Sequence, residues 1–381
     1  MSGQKPGGIY PGKNYELCVY ELTGGNKVET VKRVLNKFTV LILLIVVIGY
    51  FGVTTAGFLT IDNGLNLLRQ IAVLGILSTG FSMVMIAGGL DLSISSQLSL
   101  VSCATAMMIV NGTPIVFACI AGIIIAVVIS AFNGFAIVST GMPAMICTLA
   151  MQQVLQGIAY IFTGAAPVYG LPDGMKTLGQ GYILGIIPIP IIIMVVIFFI
   201  GAFVLNRTYL GRYFYAVGSN EEATRLSGLS SKKIMILSYV INGIFVGIAS
   251  IVLMSRMASG QPTAGQGYEM DVITACVVGG IAFSGGKGKM LGVVQGVLVM
   301  GVLSNGLGVK GVDSYTQLLC KGIVLILVVS IDCLREKRAR SKKMVIVKED
   351  KKSEKKKRCR HNESFSSGSF PGAGKGVSRI L

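Results

Sequence analysis

The sequence has a single histidine, His361, and it stands among the charges of the C-terminal tail. No Ser/His/Asp or Cys/His machinery can form in the body of the chain without one. None of the cysteines (Cys18, Cys103, Cys119, Cys147, Cys276, Cys320, Cys333 and Cys359) belongs to a Cys-x-x-Cys pair, so neither a disulfide framework nor a metal cluster is indicated. Five of them, from Cys103 to Cys320, sit inside apolar runs, where thiols pack as small hydrophobes. Charge is scarce as well: charged residues make up 13% against 52% hydrophobic, where a soluble domain carries about 25% charge. A phosphate-cradling loop is also missing. Lys287 follows Gly286, but Ile281 stands where the first glycine of G-x-x-x-x-G-K-[S/T] belongs and Gly288 where the hydroxyl belongs. The chain is therefore not expected to hydrolyse ATP by itself.

What remains is grease. From Phe38 to Asp332 the chain holds about ten apolar stretches, at 38–57, 70–88, 95–110, 115–138, 143–163, 183–205, 233–255, 271–283, 291–308 and 315–333. A bilayer crossing needs ~20 residues of helix, so the pattern predicts an all-α polytopic membrane protein with about ten transmembrane helices. The third and eighth stretches are short, which predicts helices buried by their neighbours or broken partway across. Residues 1–37 form a polar N-terminal tail, 38–334 the membrane domain and 335–381 a basic tail expected to be disordered and cytoplasmic. Arg335 to His361 supplies ten of the chain's +17 net charges. No aromatic interleaving accompanies those charges, so nucleic acid is not an expected partner, while anionic lipid headgroups are an alternative to simple solvation.

Basic residues in short loops orient a membrane protein. With the N-terminus in the cytoplasm, ten crossings return the C-terminus there, and Arg207, Arg212, Arg225, Lys232, Lys233, Lys287 and Lys289 fall inside. Lys176, Arg69, Arg256 and Lys310 fall outside.

One polar island interrupts the grease, Asn206 to Lys233, reading NRTYLGRYFYAVGSNEEATRLSGLSSKK. Ser219 or Asn220 can cap a short helix whose first turn holds Glu221 and Glu222, favoured at the positive helix end, and Gly228 can stop it about two turns later. Such a helix sets Ala223 and Leu226 against its charges, a shape for the groove of another protein, or it is an ordinary amphipathic surface loop. A second polar mark, GGLDLSISSQL from Gly88, is either a glycine turn capped by Asp91 or Ser93, or a carboxylate kept near the membrane for a pathway or partner. GGIAFSGGKGKMLG from Gly279 repeats its outline of two glycines, three residues and a serine, without wider similarity. Gly243 and Gly247 form a G-x-x-x-G that predicts close helix packing. Asn133, Gln152, Gln153, Asn242 and Asn305 lie in or at the ends of apolar runs, as interhelical hydrogen-bond partners or as ligand contacts. Glu269 and Asp271 precede a run, as caps or as a receptor for an external partner.

Together GGLDLSISSQLSL, the island, SGQPTAGQGYEMDVITACVVGGIAFSGGKGKMLG and NGLGVKGVDSYTQLLCKGIVLILVVSID resemble the permease subunits of bacterial ABC importers for simple sugars, the ribose, xylose and galactose type, with ribose-type members closest. The likeness runs from about Phe38 to Asp332, and both tails are longer than the family pattern. It implies a multi-pass protein of the bacterial cytoplasmic membrane that pairs with a second permease subunit, identical or a close paralogue. An extracytoplasmic sugar-binding protein would deliver the sugar, and a separate cytoplasmic ATP-binding subunit would hold ATP and magnesium, with no cofactor on this chain. The cytoplasmic loop 206–232 is similar to the family's coupling segment, which puts Gly211, Arg212, Gly218, Asn220, Glu221, Glu222, Ala223, Arg225, Leu226 and Gly228 at the ATPase contact. An uncharged, hydroxyl-rich sugar suits a pathway of small and amide side chains, for which Asp91, Ser93, Asn133, Gln152, Asn242 and Asn305 are the candidates. An ion-coupled secondary transporter acting alone is the rival, but it would often place acids deep in a crossing, and here the acids cluster at run ends. A membrane enzyme lacks the histidine and the paired carboxylates it would need.

Overall fold

A computed structural model describes residues 40–183, 185–330 and 333–334. The two tails, 1–37 and 335–381, with the expectations placed on them, lie outside the described residues.

Apolar sequence in short, punctuated runs gives helices whose ends coincide with proline and glycine. Helices α1 (Val40–Thr54), α2 (Ile61–Ile86), α3 (Ile94–Val110), α4 (Ile115–Thr140), α5 (Ala144–Thr163) and α6 (Asp173–Gln180) come first. A two-residue hairpin follows, β1 (Tyr182–Ile183) antiparallel to β2 (Ile187–Pro188). Then come α7 (Ile189–Arg207), α8 (Tyr209–Ser219), α9 (Glu221–Leu226), α10 (Ser231–Met257), α11 (Tyr268–Val278), α12 (Met290–Val309) and α13 (Ser314–Ser330). Pro114, Pro143 and Pro188 stand at the N-caps of α4, α5 and α7, where a fixed φ and a missing N–H cost least. Gly141 and Gly164 end α4 and α5 in the left-handed conformation.

Six helices are long and apolar enough to cross a membrane: α2, α4, α5, α7, α10 and α12. The shorter apolar helices α1, α3 and α13, with α11, occupy the remaining places where the sequence pattern puts apolar runs. Burial sorts the long ones. The apolar windows of α2 and α10 are 78% and 67% buried, whereas those of α4, α5 and α7 are 22%, 17% and 28% buried. The first pair therefore forms the interior, and the other three turn most of their apolar surface outward, as a chain in lipid must. The short α3 is buried from Ile94 to Cys103, and α11 from Val272 to Val278, so neighbours cover both.

Several elements differ from the pattern: α7 begins at Ile189 rather than 183, because the hairpin occupies the start of that stretch. α2 begins at Ile61 rather than 70, because Thr60 accepts from the Asn63 amide and opens the helix inside a polar stretch. α11 ends at Val278, five residues before the end of the apolar run. Ile281 N–H there donates to Cys276 O and Gly280 N–H to Val277 O, the paired bonds that close a helix at a left-handed glycine. α8 occupies a segment where the pattern predicts no helix; Thr208 caps it by accepting from Gly211 N–H.

The G-x-x-x-G packs as its spacing predicts. A Cβ on Gly243 would stand 2.8 Å from Val127 Cα, and one on Gly247 2.8 Å from Ile123 Cα, so α10 lies backbone to backbone on α4. Gly247→Leu should therefore lower the thermal midpoint of the detergent-purified protein by forcing α4 away, at a cost of about 1–3 kcal/mol. Gly157→Leu should not, because a Cβ at Gly157 meets nothing within 4 Å. Equal midpoints for the two variants would contradict this packing.

Candidate functional site

Two glycine-ended helices and the polar island converge. α2 closes as α11 does, with Gly89 N–H donating to Val84 O and Gly88 N–H to Met85 O. The two similar glycine segments, 88–93 and 279–292, are thus brought to one place: a Cβ on Gly285 would stand 2.9 Å from Gly88 Cα, and Gly286 N–H donates to Ile86 O at 2.8 Å. The end of α8 seats on both. A Cβ on Gly218 would meet Ile86 O at 1.9 Å and Gly286 N at 2.6 Å, so only glycine fits. Tyr215 Oη donates to Gly288 O at 2.8 Å, and partial burial raises its phenol above the ordinary value.

From this junction α9 projects. Asn220 ends α8 and caps α9, its Oδ1 accepting from Ala223 N–H at 2.9 Å. Gly228, at φ +82°, closes the other end: its N–H donates to Arg225 O, and Leu229 N–H donates to Thr224 O. Within α9 only Thr224 is buried; Glu221, Glu222, Ala223, Arg225 and Leu226 are exposed, Leu226 at 82%. Arg212 is exposed on α8, while Gly211 is buried where a Cβ would strike Leu205 O. Of the ten residues singled out for the coupling segment, Gly211, Arg212 and Gly218 lie on α8, and the other seven, from Asn220 to Gly228, on α9 or at its ends.

The pathway candidates divide. Asp91, Ser93, Asn133 and Asn242 come together with Gln97 and Ser130, all fully buried. Asp91 Oδ1 accepts from Ser93 N–H (3.2 Å), Ser93 Oγ (2.5 Å) and Asn133 Nδ2 (3.5 Å), and Oδ2 accepts from Asn242 Nδ2 (3.0 Å). Ser93 Oγ in turn accepts from Gln97 Nε2 and Asn133 Nδ2, and Ser130 Oγ donates to Gln97 Oε1. The carboxylate is met by four donors from the 88–93 loop, α4 and α10, which lets a charge lie buried without a cation. Ser93 sits at the N-cap of α3 but makes no cap bond, because its hydroxyl is committed to Asp91. Tyr239 Oη donates to Leu90 O and Thr148 Oγ1 accepts from Leu92 N–H, so α10 and α5 grip the same loop.

Gln152 and Asn305 lie elsewhere. Gln152 Nε2 reaches Ser95 Oγ and Glu269 Oε1, and Asn305 exchanges two 3.0 Å amide bonds with Asn63 of α2. Lys321 is a residue that composition alone overlooks. It pairs with Asp271 at 2.7 Å, and its signal was a lone lysine inside the apolar stretch 315–333. Asp271 is thus an ion-pair partner rather than a cap; the N-cap of α11 is Gly267. Among the described residues, no group of His, Cys, Asp or Glu could hold a metal ion.

A family model for the permease component of branched-chain amino acid transport systems matches residues 63–329. The ribose import permease protein of Bacillus subtilis (strain 168) is 40% identical over 306 residues, which cover 80% of this chain and 94% of that protein. The ribose import permease protein of Escherichia coli (strain K12) is 38% identical over 296 residues, 77% of this chain and 92% of its own. The D-allose transport system permease protein of Escherichia coli (strain K12) is 31% identical over 304 residues, 79% of this chain and 93% of its own. No solved structure matches the chain.

Asp91→Asn should destabilise the protein by about 2 kcal/mol, since it replaces a charged acceptor with an amide donor facing other donors. A thermal melt in detergent reads the loss; an unchanged midpoint would contradict the bonding described.

Proposed function

This chain belongs to the permease-component family of branched-chain amino acid transport systems, and from that premise we propose that it is the membrane-spanning subunit of an ATP-driven importer that brings a ribose-like pentose or hexose into the cell by alternating access. It is a multi-pass protein of the cytoplasmic membrane. All ten apolar helices enter the bilayer, with both termini in the cytoplasm. Three contacts support this orientation. Ser219 Oγ donates to Gly286 O, which gathers Lys287 and Lys289 at the same end as Arg212 and Arg225. Gln180 bonds both Arg69 of α2 and Arg256 of α10, which gathers these basic residues at the other end. The first end is the richer in basic residues and is the cytoplasmic one.

The observation that carries the ATP-driven reading is α9. A six-residue helix capped at both ends, with one residue buried, is too small to stabilise itself and is built to be held by something else. That something is a separate ATP-binding subunit, which carries ATP and magnesium. Closure of the ATPase pair pushes α8–α9, and the glycine junction passes the push to the end of α2 and the Asp91 loop. The transporter comprises two permease subunits, two nucleotide sites and an extracytoplasmic sugar-binding protein. An ion-coupled transporter is disfavoured because the buried acids are already engaged, Asp91 by four protein donors and Asp271 by the Lys321 ammonium.

Leu226→Asp with Arg225→Glu should leave the fold intact, since both side chains are exposed, yet should release the ATPase from the detergent-purified complex and cut sugar uptake by roughly tenfold or more. Full co-purification with normal uptake would contradict the docking role. Uptake driven by an ion gradient in liposomes holding this chain alone would establish the rival instead.

A further inference from the structure

Away from the Asp91 network, α2, the start of α11 with the two residues before it, α12 and α13 line a cavity of about 450 Å³, within the roughly 300–1,000 Å³ of small-molecule sites. The Asp271–Lys321 pair is part of its wall, with side chains only 15% and 22% exposed. An ion pair this buried in an apolar bundle costs more to desolvate than it returns unless other groups use its remaining valences, so it is weak evidence for stability. Charged residues inside spanning segments mark pathways for the same reason. The pair engages one carboxylate oxygen and one ammonium N–H, which leaves an acceptor and two donors. Gln70 of α2 and Ser304 of α12 line the same cavity, and neither side chain is hydrogen-bonded among the described residues. Leu74 and Leu325 add apolar wall.

Free acceptor, free donors, an unspent amide, an unspent hydroxyl and an apolar face together match one ligand chemistry. A sugar hydroxyl both gives and takes a hydrogen bond, and the ring presents C–H faces; an ion would need one sign of charge, and a hydrophobe would leave the pair unanswered. We propose that this cavity holds the sugar during translocation, with Asp271 and Lys321 as its polar clamp and Gln70 and Ser304 as positioning contacts. None of the six amide, hydroxyl and acid residues picked out by sequence lines it. The proposal rests on the importer reading and names where its substrate sits.

The test uses the complete importer in liposomes, following radiolabelled ribose uptake beside ATP hydrolysis stimulated by the sugar-binding protein. Asp271→Asn and Lys321→Gln should each cut uptake by roughly tenfold or more, while the stimulated hydrolysis persists. Gln70→Ala with Ser304→Ala removes side chains that make no hydrogen bond among the described residues, so misfolding is not at issue. This double variant should raise the half-saturating ribose concentration and narrow the preference for ribose over 2-deoxyribose. Unchanged saturation and preference in the double variant would overturn the proposal even if both charge variants failed to assemble. A wild-type importer that moved no sugar would overturn the importer reading and this proposal together, whereas wild-type uptake matched by every cavity variant would overturn this proposal alone.

Discussion

The structure turns on a place where three stretches of main chain touch without side chains between them. Ile86 O, Gly218 and Gly286 N–H meet so closely that a Cβ on Gly218 would stand 1.9 Å from the carbonyl, and Gly285 presses on Gly88 in the same way. Side chains can change rotamer and absorb a displacement of an ångström; backbone in contact with backbone cannot. The end of α2, the end of α8 and the loop before α12 must therefore move together or separate altogether. Gly88 and Gly280 serve this junction by ending α2 and α11 within one turn, which keeps the chain at the contact instead of carrying it onward as helix.

Five residues beyond Ile86 lies Asp91, and its burial fixes what the junction is joined to. A carboxylate in an apolar bundle is tolerated only where donors surround it. Here they come from Ser93, Asn133 and Asn242, so α4 and α10 are tied to the loop that α2 delivers. α10 is in turn laid on α4 through Gly243 and Gly247. On the proposed mechanism a push on α9 would pass through a continuous series of contacts: α8, the glycine junction, the Asp91 loop and the α4–α10 pair. The proposed sugar cavity belongs to the other side of α2, between α11, α12 and α13. α2 is shared by the route and the cavity, and it is the most deeply buried of the long helices.

Much of this was legible in the sequence, and the division is physical. Local signals read correctly: Asn220 and Gly228 frame α9, Gly88 and Gly89 stop α2, and the G-x-x-x-G packs, because each depends on residues within a few positions; the same signal at Gly279 and Gly280 was masked by the apolar residues that follow it. Helix α8 was not legible, since it lies in a segment that reads as polar, and the burial of Phe214 and Val217 is set by the fold. Nor did the sequence reveal how the amides group. Asn133 and Asn242 share Asp91, while Asn305 pairs with Asn63; all three are amides in apolar runs, and only the rotation of each helix about its axis tells them apart. Lys321 was visible as a charge inside an apolar stretch, but its partner fifty residues earlier was not.

The most direct measurement compares sugar moved per ATP hydrolysed in liposomes carrying the complete importer with wild-type permease or Gly218→Ala. The added methyl must part α8 from Ile86 without touching the exposed face of α9, so the ATPase should stay bound and active while the transported sugar per ATP collapses. A variant that assembles normally and keeps the wild-type ratio would contradict a rigid junction between the projecting helix and the bundle.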